Sequence, residues 1–322
     1  MTQLTPVQAG GAQAPTDPAT QAAYIGRFAP SPTGPLHFGS LIAAVGSYLQ
    51  ARSLSGLWRV RIEDIDPPRE QPGAAASILR ALEVYGFRWD GDVMYQSRRK
   101  QAYLVVLKNL VNDRKAYYCN CTRRQVEVNG NPGALSTIYA GTCRSRDLTR
   151  GRSLRVITHN QPICFDDQHF GRCCQHLEYE VGDFLVSRAD GFVAYHLAVV
   201  VDDAEQGITQ IVRGADLLDT TARHIHLQQL LHLPTPDYLH LPVAVDRQGF
   251  KLSKQTRARP LSVRDPVPQL IAALALLNHR PPAAVCKASL DDIWHWAITH
   301  WAAARLPKRR DIEPHDNARA PN

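Results

Sequence analysis

The sequence predicts an α/β protein: a Rossmann-type parallel sheet of the nucleotide-binding kind, with an insertion and a short helical C-terminal region. Strand and helix patterns alternate over residues 24–118, as they do in parallel α/β sheets. The alternation breaks at residues 119–180, where cysteines, arginines, glycines and histidines replace periodic apolar residues, and it returns at residues 181–245. Residues 246–304 then hold two further helical patterns.

The first half of the predicted sheet alternates strands with helices. A short apolar run at residues 24–29 predicts the first strand, and residues 58–63 alternate apolar and charged side chains with the period of a strand. The segment between them predicts a helix, because its apolar residues share one face: Leu41, Ile42, Val45, Tyr48 and Leu49. Helical patterns follow at residues 74–85 and 98–113.

The second half of the sheet is predicted from three segments. Residues 192–201 form a nearly continuous apolar run, which suits a buried central strand. A further strand is predicted at residues 208–212, and a helix at about residues 216–231. These segments are predicted to form the strands and the helix that complete the parallel sheet after the insertion.

The two ends of the chain differ from this core. Residues 1–23 hold 19 Ala, Pro, Thr, Gln or Gly residues and are predicted to be a disordered leader. Helices are predicted at residues 267–277 and 290–304, and a polar tail at residues 305–322.

Composition narrows the class of protein. The 322 residues are 44% hydrophobic and 21% charged, which is typical of a globular protein with room for two domains and excludes collagen-like, mucin-like and wholly disordered chains. No secretory signal and no run of 18 apolar residues is present, so a cytoplasmic location without a membrane partner is expected. The net charge of +7 favours a polyanionic partner. Seven cysteines, an odd number, predict thiols that are reduced, buried or metal-bound.

The loop RFAPSPTGPLHFGS at residues 27–40 joins the first predicted strand to the first helix. In open α/β sheets, nucleotides bind at such strand ends, where unpaired helix-start amides attract phosphate. Gly34 and Gly39 allow close approach of the backbone, and His37 offers a hydrogen-bond donor. Composition alone leaves an alternative open, a proline-stiffened loop with a packed histidine.

Three motifs in order carry a resemblance to a known family. Residues 28–40 closely resemble the signature of glutamate-specific class I aminoacyl-tRNA synthetases, and residues 37–40 match its His-Ile-Gly-His element. Residues 61–66, RIEDID, resemble a strand end of that family, and residues 251–255, KLSKQ, resemble its Lys-Met-Ser-Lys-Ser loop. Ser40 and Gln255 depart from the family pattern.

The resemblance implies activation of glutamate by ATP to give glutamyl-adenylate and pyrophosphate, with Mg²⁺ accompanying ATP. Such chemistry needs no protein nucleophile, because it is catalysed by positioning and by charge stabilisation. The catalytic groups implied are His37 and Lys254. The ATP-binding residues implied are His37, Gly39, Ser40, Lys251 and Lys254.

The same resemblance implies a glutamate pocket at positions spread along the chain: Arg27, Phe28, Ala29, Pro30, Ser31, Glu63, Tyr195 and Arg213. Two arginines suit the two carboxylates of glutamate, and Glu63 suits its ammonium group. Arg213 ends an apolar strand and would otherwise be a buried unpaired charge. For Tyr195, a role as an ordinary core residue remains open.

The insertion contains a candidate metal site. Cys119 and Cys121 form a Cys-x-Cys pair with a third cysteine, Cys143, further along, a moderate zinc signal that buried free thiols also explain. The zinc insert of the resembling proteins also has a tyrosine with a cysteine four residues beyond it, as Tyr139 and Cys143 are here, so the resemblance implies one structural Zn²⁺ held by Cys119, Cys121, Tyr139 and Cys143. A rival set with irregular spacing also exists: Cys164, His169, Cys173, Cys174 and His176.

Two features bear on the acceptor. Between Arg123 and Arg155 lie seven arginines against two acids, which predicts either a solvated basic face or contact with RNA phosphates. The chain after Lys254 is too short for the family's helical anticodon-binding region. With this short C-terminal region, the chain resembles a truncated branch of the same synthetase family, whose members join glutamate to the queuosine base at the wobble position of tRNA(Asp). The expected partners are therefore ATP, L-glutamate and queuosine-containing tRNA(Asp), and a monomer is the default expectation.

Three other functions remain open on the sequence alone. One is a trimmed enzyme that charges the 3′ end of tRNA(Glu). Another is an adenylating enzyme that passes glutamate to an acceptor other than tRNA. The third is a non-catalytic protein that binds zinc and RNA.

Overall fold

The computed structural model describes residues 24–133, 137–246, 248–249, 251 and 259–313. The predicted leader, the catalytic candidate Lys254 and the second half of the predicted polar tail, residues 314–322, lie outside these described residues.

The described residues form strands and helices that alternate along most of the chain. The strands are β1 Ile25–Phe28, β2 Leu57–Ile62, β3 Met94–Tyr95, β4 Ala116–Cys119, β5 Ser153–Val156, β6 Ile163–Asp167, β7 Gly171–Gln175, β8 Leu185–Ser187, β9 Gln210–Gly214, β10 Asp237–Leu241, β11 Val243–Ala244 and β12 Asp311–Ile312. The helices are α1 Phe38–Ser53, α2 Ala74–Val84, α3 Lys100–Asn112, α4 Arg123–Asn129, α5 Leu177–Glu180, α6 Tyr195–Glu205, α7 Thr221–Leu230, α8 Val267–Leu276, α9 Ala283–Cys286 and α10 Leu290–His300.

The predicted parallel α/β architecture is confirmed. Strands β1, β2 and β3 pair in parallel, and so do β9 and β10. Hydrogen bonds between Thr209 and Ile25 join β1 to the segment that leads into β9. The chain therefore winds outward in both directions from β1 and β9, and their carboxyl ends open onto one crevice.

The pattern of apolar residues explains this core. Trp58, Val60 and Ile62 of β2 are fully buried, as their alternation with charged residues requires. Helix α1 lies across β1 and β9 so closely that a Cβ atom at Gly46 would overlap the Leu241 side chain. Any larger residue at position 46 would have to displace the buried Leu241 side chain of β10.

The predicted central strand at residues 192–201 is wrong, because this segment begins helix α6, Tyr195–Glu205. Its apolar run reflects burial against several neighbours, and a short apolar run does not distinguish a buried strand from a buried helix. The helix brings Tyr195 and Asp203, eight residues apart, to the same side of the core near the crevice.

The segment between the sheet halves contains two β-structures. Strands β4, β5 and β8 form a small antiparallel sheet. The hairpin of β6 and β7 instead pairs through β6 with β10, so that it extends the main sheet. A disulfide joins Cys164 of β6 to Cys174 of β7, so the prediction that all thiols are reduced or metal-bound is wrong for these two.

The C-terminal helices pack on the first half of the sheet. Trp294 of α10 contacts Tyr48 of α1 with ring centroids 4.9 Å apart, and its Nε1 donates to the Tyr85 carbonyl at 2.8 Å. Strand β12 pairs in parallel with β11, which follows β10. In the part of the chain that the structure describes, no helix combines the length and the apolar character that a membrane span requires.

Candidate active site and metal centre

One cavity of about 720 Å³ lies at the carboxyl ends of β1, β2, β9 and β10. This volume is in the range of small-molecule sites, roughly 300–1,000 Å³. The cavity brings together all described candidates for ATP and glutamate binding: Arg27, Phe28, Ala29, Pro30, Ser31, His37, Gly39, Ser40, Glu63, Tyr195, Arg213 and Lys251.

His37 sits at the start of α1 and acts as its N-terminal cap. The His37 Nδ1 atom accepts from the Ser40 amide at 3.2 Å, so the proton of the neutral ring belongs on Nε2. That Nε2 lies 3.0 Å from the Ser40 hydroxyl oxygen. In this tautomer Nε2–H donates to the Ser40 hydroxyl oxygen, and the Ser40 hydroxyl can in turn donate its own proton to a phosphate oxygen, next to the partial positive charge of the helix N-terminus.

The lysine motif reaches the cavity through its described neighbours. Lys251 lines the cavity and forms an ion pair with Asp216. Beyond residues 252–258, Pro260 forms a β-bridge with His37, and the Leu261 amide donates to the Leu36 carbonyl at 2.9 Å. Both described ends of the segment therefore lie beside the His37 loop.

Two arginines and two acids form a buried network behind one wall of the cavity. Asp203 Oδ1 accepts from Arg27 Nε at 3.1 Å and from Arg61 Nη1 at 2.7 Å. Arg61 Nη2 also donates to Glu63 Oε1 at 3.3 Å. Burial alone would raise the pKa of Asp203, but the charges of Arg27 and Arg61 lower it. Asp203 therefore stays ionised and is already the partner of Arg27.

The pKa of Glu63 is shifted in the opposite direction to that of Asp203. Burial raises the pKa of Glu63 to about 7, against the opposing effect of Arg61 and Arg27. Its carboxyl group therefore titrates near neutral pH, and a ligand ammonium would stabilise the ionised form.

Arg213 is 5% exposed and has only neutral acceptors as hydrogen-bond partners. Its four partners are His240 Nε2 at 3.1 Å, His224 Nδ1 at 3.1 Å, the Leu217 carbonyl at 3.2 Å and Thr221 Oγ1 at 2.8 Å. Within the described residues no carboxylate lies within salt-bridge distance of Arg213. A buried guanidinium without an anionic partner is costly, and a ligand carboxylate in the cavity would supply one.

Sequence reasoning missed the residues that surround these arginines. Asp203 lies two residues after the apolar run at residues 192–201, and an acid directly beyond such a run was the available signal. His224 and His240 carried no such signal, because each lies in a different element and meets Arg213 only in the folded chain.

The three predicted cysteine ligands converge. Cys119, Cys121 and Cys143 place their sulfur atoms within 4.8 Å of one another, and Cys121 and Cys143 Sγ are 3.6 Å apart. A tetrahedral zinc site with bonds of about 2.3 Å to sulfur separates its sulfur atoms by roughly 3.8 Å. The spacing and the soft donor chemistry of these residues therefore fit zinc.

Tyr139 completes the cluster on its open side. Its hydroxyl oxygen lies 3.5 Å from both Cys119 and Cys121 Sγ and accepts from the Cys143 amide at 2.8 Å. The Arg155 guanidinium stacks on the phenol ring, with its central carbon 3.8 Å from the ring centroid. Burial and the hydrogen bonds to the three cysteines raise the pKa of the Tyr139 hydroxyl.

The rival metal set is not supported. Cys164 and Cys174 are joined to each other, which removes two thiols from that set. Among the described residues, the one group of metal-ligating side chains is the cluster at Cys119, Cys121 and Cys143.

The predicted basic stretch is only partly available to a partner. Arg155 is buried under the insertion, and Arg144 bonds to Glu178 and to the Thr158 carbonyl. The five exposed arginines of the stretch are Arg123, Arg124, Arg146, Arg150 and Arg152. A surface role is therefore restricted to these five.

Comparison with known proteins defines the class. Residues 25–266 match the family described as tRNA synthetases class I (E and Q), catalytic domain, and the chain belongs to this family. The Glutamyl-Q tRNA(Asp) synthetase of Aromatoleum aromaticum is 51% identical over 90% of this chain and 92% of its own length. The protein of the same name from Chromobacterium violaceum is 50% identical over 89% of this chain and 97% of its own. The resemblance to the truncated branch is confirmed by these relatives.

Solved structures agree on the fold. The crystal structure of glutamate-tRNA synthetase from Elizabethkingia anophelis has a TM-score of 0.74 and 24% identity, covering 92% of this chain and 69% of its own. The glutamate tRNA ligase of Elizabethkingia meningosepticum, in complex with its amino acid, also has a TM-score of 0.74, at 23% identity, covering 91% of this chain and 68% of its own. At this identity the similarity establishes the fold alone.

Proposed function

We propose that this protein activates L-glutamate with ATP as glutamyl-adenylate and transfers glutamate to the queuosine base at the wobble position of tRNA(Asp). The observation that carries the activation step is the buried charge of Arg213, whose partners are all neutral, in the same cavity as the His37 helix start. The family and the names of the relatives at about 50% identity support the acceptor.

On the nucleotide side, His37 together with the Ser40 hydroxyl on its Nε2, the start of α1 and Lys251 would contact the phosphates, with Gly39 beside them. Lys254 is assigned to the same phosphates from the resemblance of its motif. Mg²⁺ bound with ATP would neutralise phosphate charge. Loss of one such donor typically lowers kcat roughly 10²- to 10³-fold.

On the amino-acid side, Arg213 would pair with the side-chain carboxylate and Glu63 with the ammonium group. Arg27, which is already bound to Asp203, would add a second positive charge to the lining of the pocket, and the Tyr195 ring would form part of its wall. The backbone of residues 28–31 would line the rest of the pocket.

The two proposed steps balance without a protein nucleophile. An oxygen of the glutamate carboxylate attacks the α-phosphorus of ATP, and pyrophosphate leaves. A hydroxyl of the queuosine cyclopentenediol then attacks the adenylate carbonyl carbon, its proton is lost, AMP leaves, and a glutamyl ester remains on the base. An unpaired anticodon-loop base is accessible to such a pocket.

The cysteine cluster supports a structural role for zinc. Cys119, Cys121, Tyr139 and Cys143 would hold the ion, which would brace the ends of β4 and the loop before β5. The metal would supply cross-linking where periodic apolar residues are scarce.

The test compares glutamate transfer to tRNA from queuosine-containing and queuosine-deficient strains. Transfer only to queuosine-containing tRNA, leaving the 3′ end sensitive to periodate, is the expected result. Equal charging of both preparations, with periodate protection of the 3′ end, would favour a trimmed tRNA(Glu)-charging enzyme. Acceptance of glutamate that survives RNase would favour an acceptor other than tRNA. Absence of glutamate-dependent pyrophosphate exchange into ATP, with and without tRNA, would favour a non-catalytic protein.

A further inference from the structure

We propose that Asp167 and His240 are positioning residues that orient Arg213 toward a carboxylate and so set the preference for glutamate over glutamine. This inference rests on the proposed function, because it assigns the ligand of Arg213. Neither Asp167 nor His240 lines the cavity, so both would act through Arg213.

Asp167 fixes the proton of His240. Its Oδ2 lies 2.7 Å from His240 Nδ1 and 3.1 Å from the His240 amide, while its Oδ1 accepts from the amides of His169 and Phe170. Every one of these contacts requires Asp167 to accept. The imidazole proton therefore belongs on Nδ1.

His240 in this tautomer presents a lone pair to Arg213. Its Nε2 accepts from Arg213 Nε at 3.1 Å, and Thr221 and Leu217 accept from Arg213 Nη2. These contacts fix the guanidinium in its plane. Both Asp167 and His240 are fully buried, so water does not compete for their hydrogen bonds.

Asp167 and His240 together orient Arg213, but the Asp167 carboxylate does not form an ion pair with it. Because His240 is neutral and stands between the two charges, the Asp167 carboxylate does not contact the guanidinium. A bound carboxylate can then serve as the direct counter-ion of Arg213, whereas the neutral amide of glutamine cannot. Burial and the charge of Arg213 lower the pKa of His240, which agrees with a neutral ring.

The β6–β7 hairpin holds Asp167 in register. Tyr238 of β10 lies opposite Asp167, and the Cys164–Cys174 disulfide ties the two hairpin strands. His169 Nε2 lies 2.9 Å from the Pro307 carbonyl, and Lys308 Nζ donates to the His169 carbonyl at 2.8 Å. The hairpin thereby links the C-terminal segment to Arg213 through Asp167 and His240.

The test is Asp167→Asn. Both oxygens of Asp167 face N–H donors, so an asparagine must turn its amide N–H₂ toward one pair of them. When that group faces His240 Nδ1, it donates, the ring proton moves to Nε2, and Nε2 then opposes the Arg213 N–H. The expected result is a KM for glutamate raised roughly 10- to 100-fold, with the KM for ATP within about twofold of the wild type, in pyrophosphate exchange.

Two further variants separate positioning from general damage. His240→Leu removes the acceptor and is expected to raise the KM for glutamate as Asp167→Asn does, whereas His240→Gln keeps an N–H and a carbonyl and is expected to restore most of the affinity. Asp183→Asn is the matched control, because Asp183 is also buried and accepts from Tyr117 and Thr158, away from the cavity. It is expected to lower the melting temperature without changing the KM for glutamate.

The outcomes are distinct. Folded Asp167→Asn and His240→Leu proteins with wild-type KM for glutamate would overturn the inference, as would equal rises in the KM for ATP and glutamate. If Asp167→Asn does not fold, the two His240 variants decide alone. A wild type without glutamate-dependent exchange would refute the proposed function instead.

Discussion

At the residue scale, burial and charge set the ionisation and the hydrogen-bond partners of a few side chains around one cavity. Arg213 is a buried cation whose hydrogen-bond partners are neutral. Glu63 is a buried acid whose pKa is raised to about 7. Arg213, which has no anionic partner among the described residues, therefore gains one when a carboxylate binds, whereas Glu63, already paired with Arg61, is held in its ionised form by an additional cation.

Replacement of Arg213 by alanine is expected to raise the KM for glutamate roughly 100-fold and to leave the KM for ATP nearly unchanged, because truncating one partner of a buried charge pair is costly. Pyrophosphate exchange with either substrate varied measures this. Lysine at the same position is expected to restore little, since it lacks the donor fork that His240 and Thr221 engage. An unchanged KM for glutamate in the alanine variant would contradict the assignment.

Glutamate binding is expected to weaken as the pH falls through about 7, because protonation of Glu63 removes the negative charge that holds the ammonium group. Above this pH, affinity should level off. The groups facing Glu63 are Arg61, Arg27, Asp203 and Tyr195. The two arginines lower the pKa of Asp203 and burial raises the pKa of Tyr195, so neither of these two acids changes its charge between pH 5.5 and 8.5. Isothermal titration between pH 5.5 and 8.5 measures the effect. Glu63→Gln should bind weakly with a flat profile, and a variant profile as steep as that of the wild type would rule Glu63 out as the titrating group.

Much of the site could be predicted at this scale from local motifs. The 27–40 loop, Glu63 and Lys251 belong to contiguous patterns, and the structure places their described members in one cavity. Asp203, His224 and His240 could not be predicted, because they meet the arginines only through packing of α6, α7 and β10.

At the element scale, the period of apolar residues correctly predicted the amphipathic elements, but it led to a wrong prediction for helix α6, which is buried on several sides. β2 alternates and α1 has an apolar face, so each shows its own period in the sequence. Helix α6 is apolar on several sides, so its sequence lacks a helical period and suits a central strand equally well. The β6–β7 hairpin was not predicted, because its two short strands show no regular alternation of buried and exposed residues.

The cysteine cluster gives a prediction at this scale. Cys121→Ser is expected to abolish stoichiometric zinc, measured by inductively coupled plasma mass spectrometry, and to increase hydrogen exchange in β4 and β5, because the cluster would be their cross-link. Cys286→Ser is the control, since this half-buried thiol lies away from the cluster and bonds to the Pro281 carbonyl. Full zinc in Cys121→Ser, or equal loss in the control, would contradict the assignment.

At the scale of the whole molecule, the net charge of +7 and the exposed arginines of the insertion concern the RNA partner. Arg150→Glu/Arg152→Glu is expected to weaken tRNA binding and to reduce its salt dependence, because phosphate contacts release counter-ions. Electrophoretic mobility shifts at several salt concentrations measure both. The control is Arg80→Glu/Lys108→Glu, which makes the same charge change at exposed positions of α2 and α3. Equal weakening by the two pairs would indicate a general effect of charge.

The central claim is that ATP and an acidic amino acid meet in one cavity formed by both halves of the sheet. A crystal structure with a non-hydrolysable glutamyl-adenylate analogue tests it most directly. We expect the side-chain carboxylate of the analogue within hydrogen-bond distance of Arg213, its ammonium at Glu63, and the phosphate mimic beside His37. An analogue bound elsewhere, or Arg213 and His37 contacting separate cavities, would contradict the account.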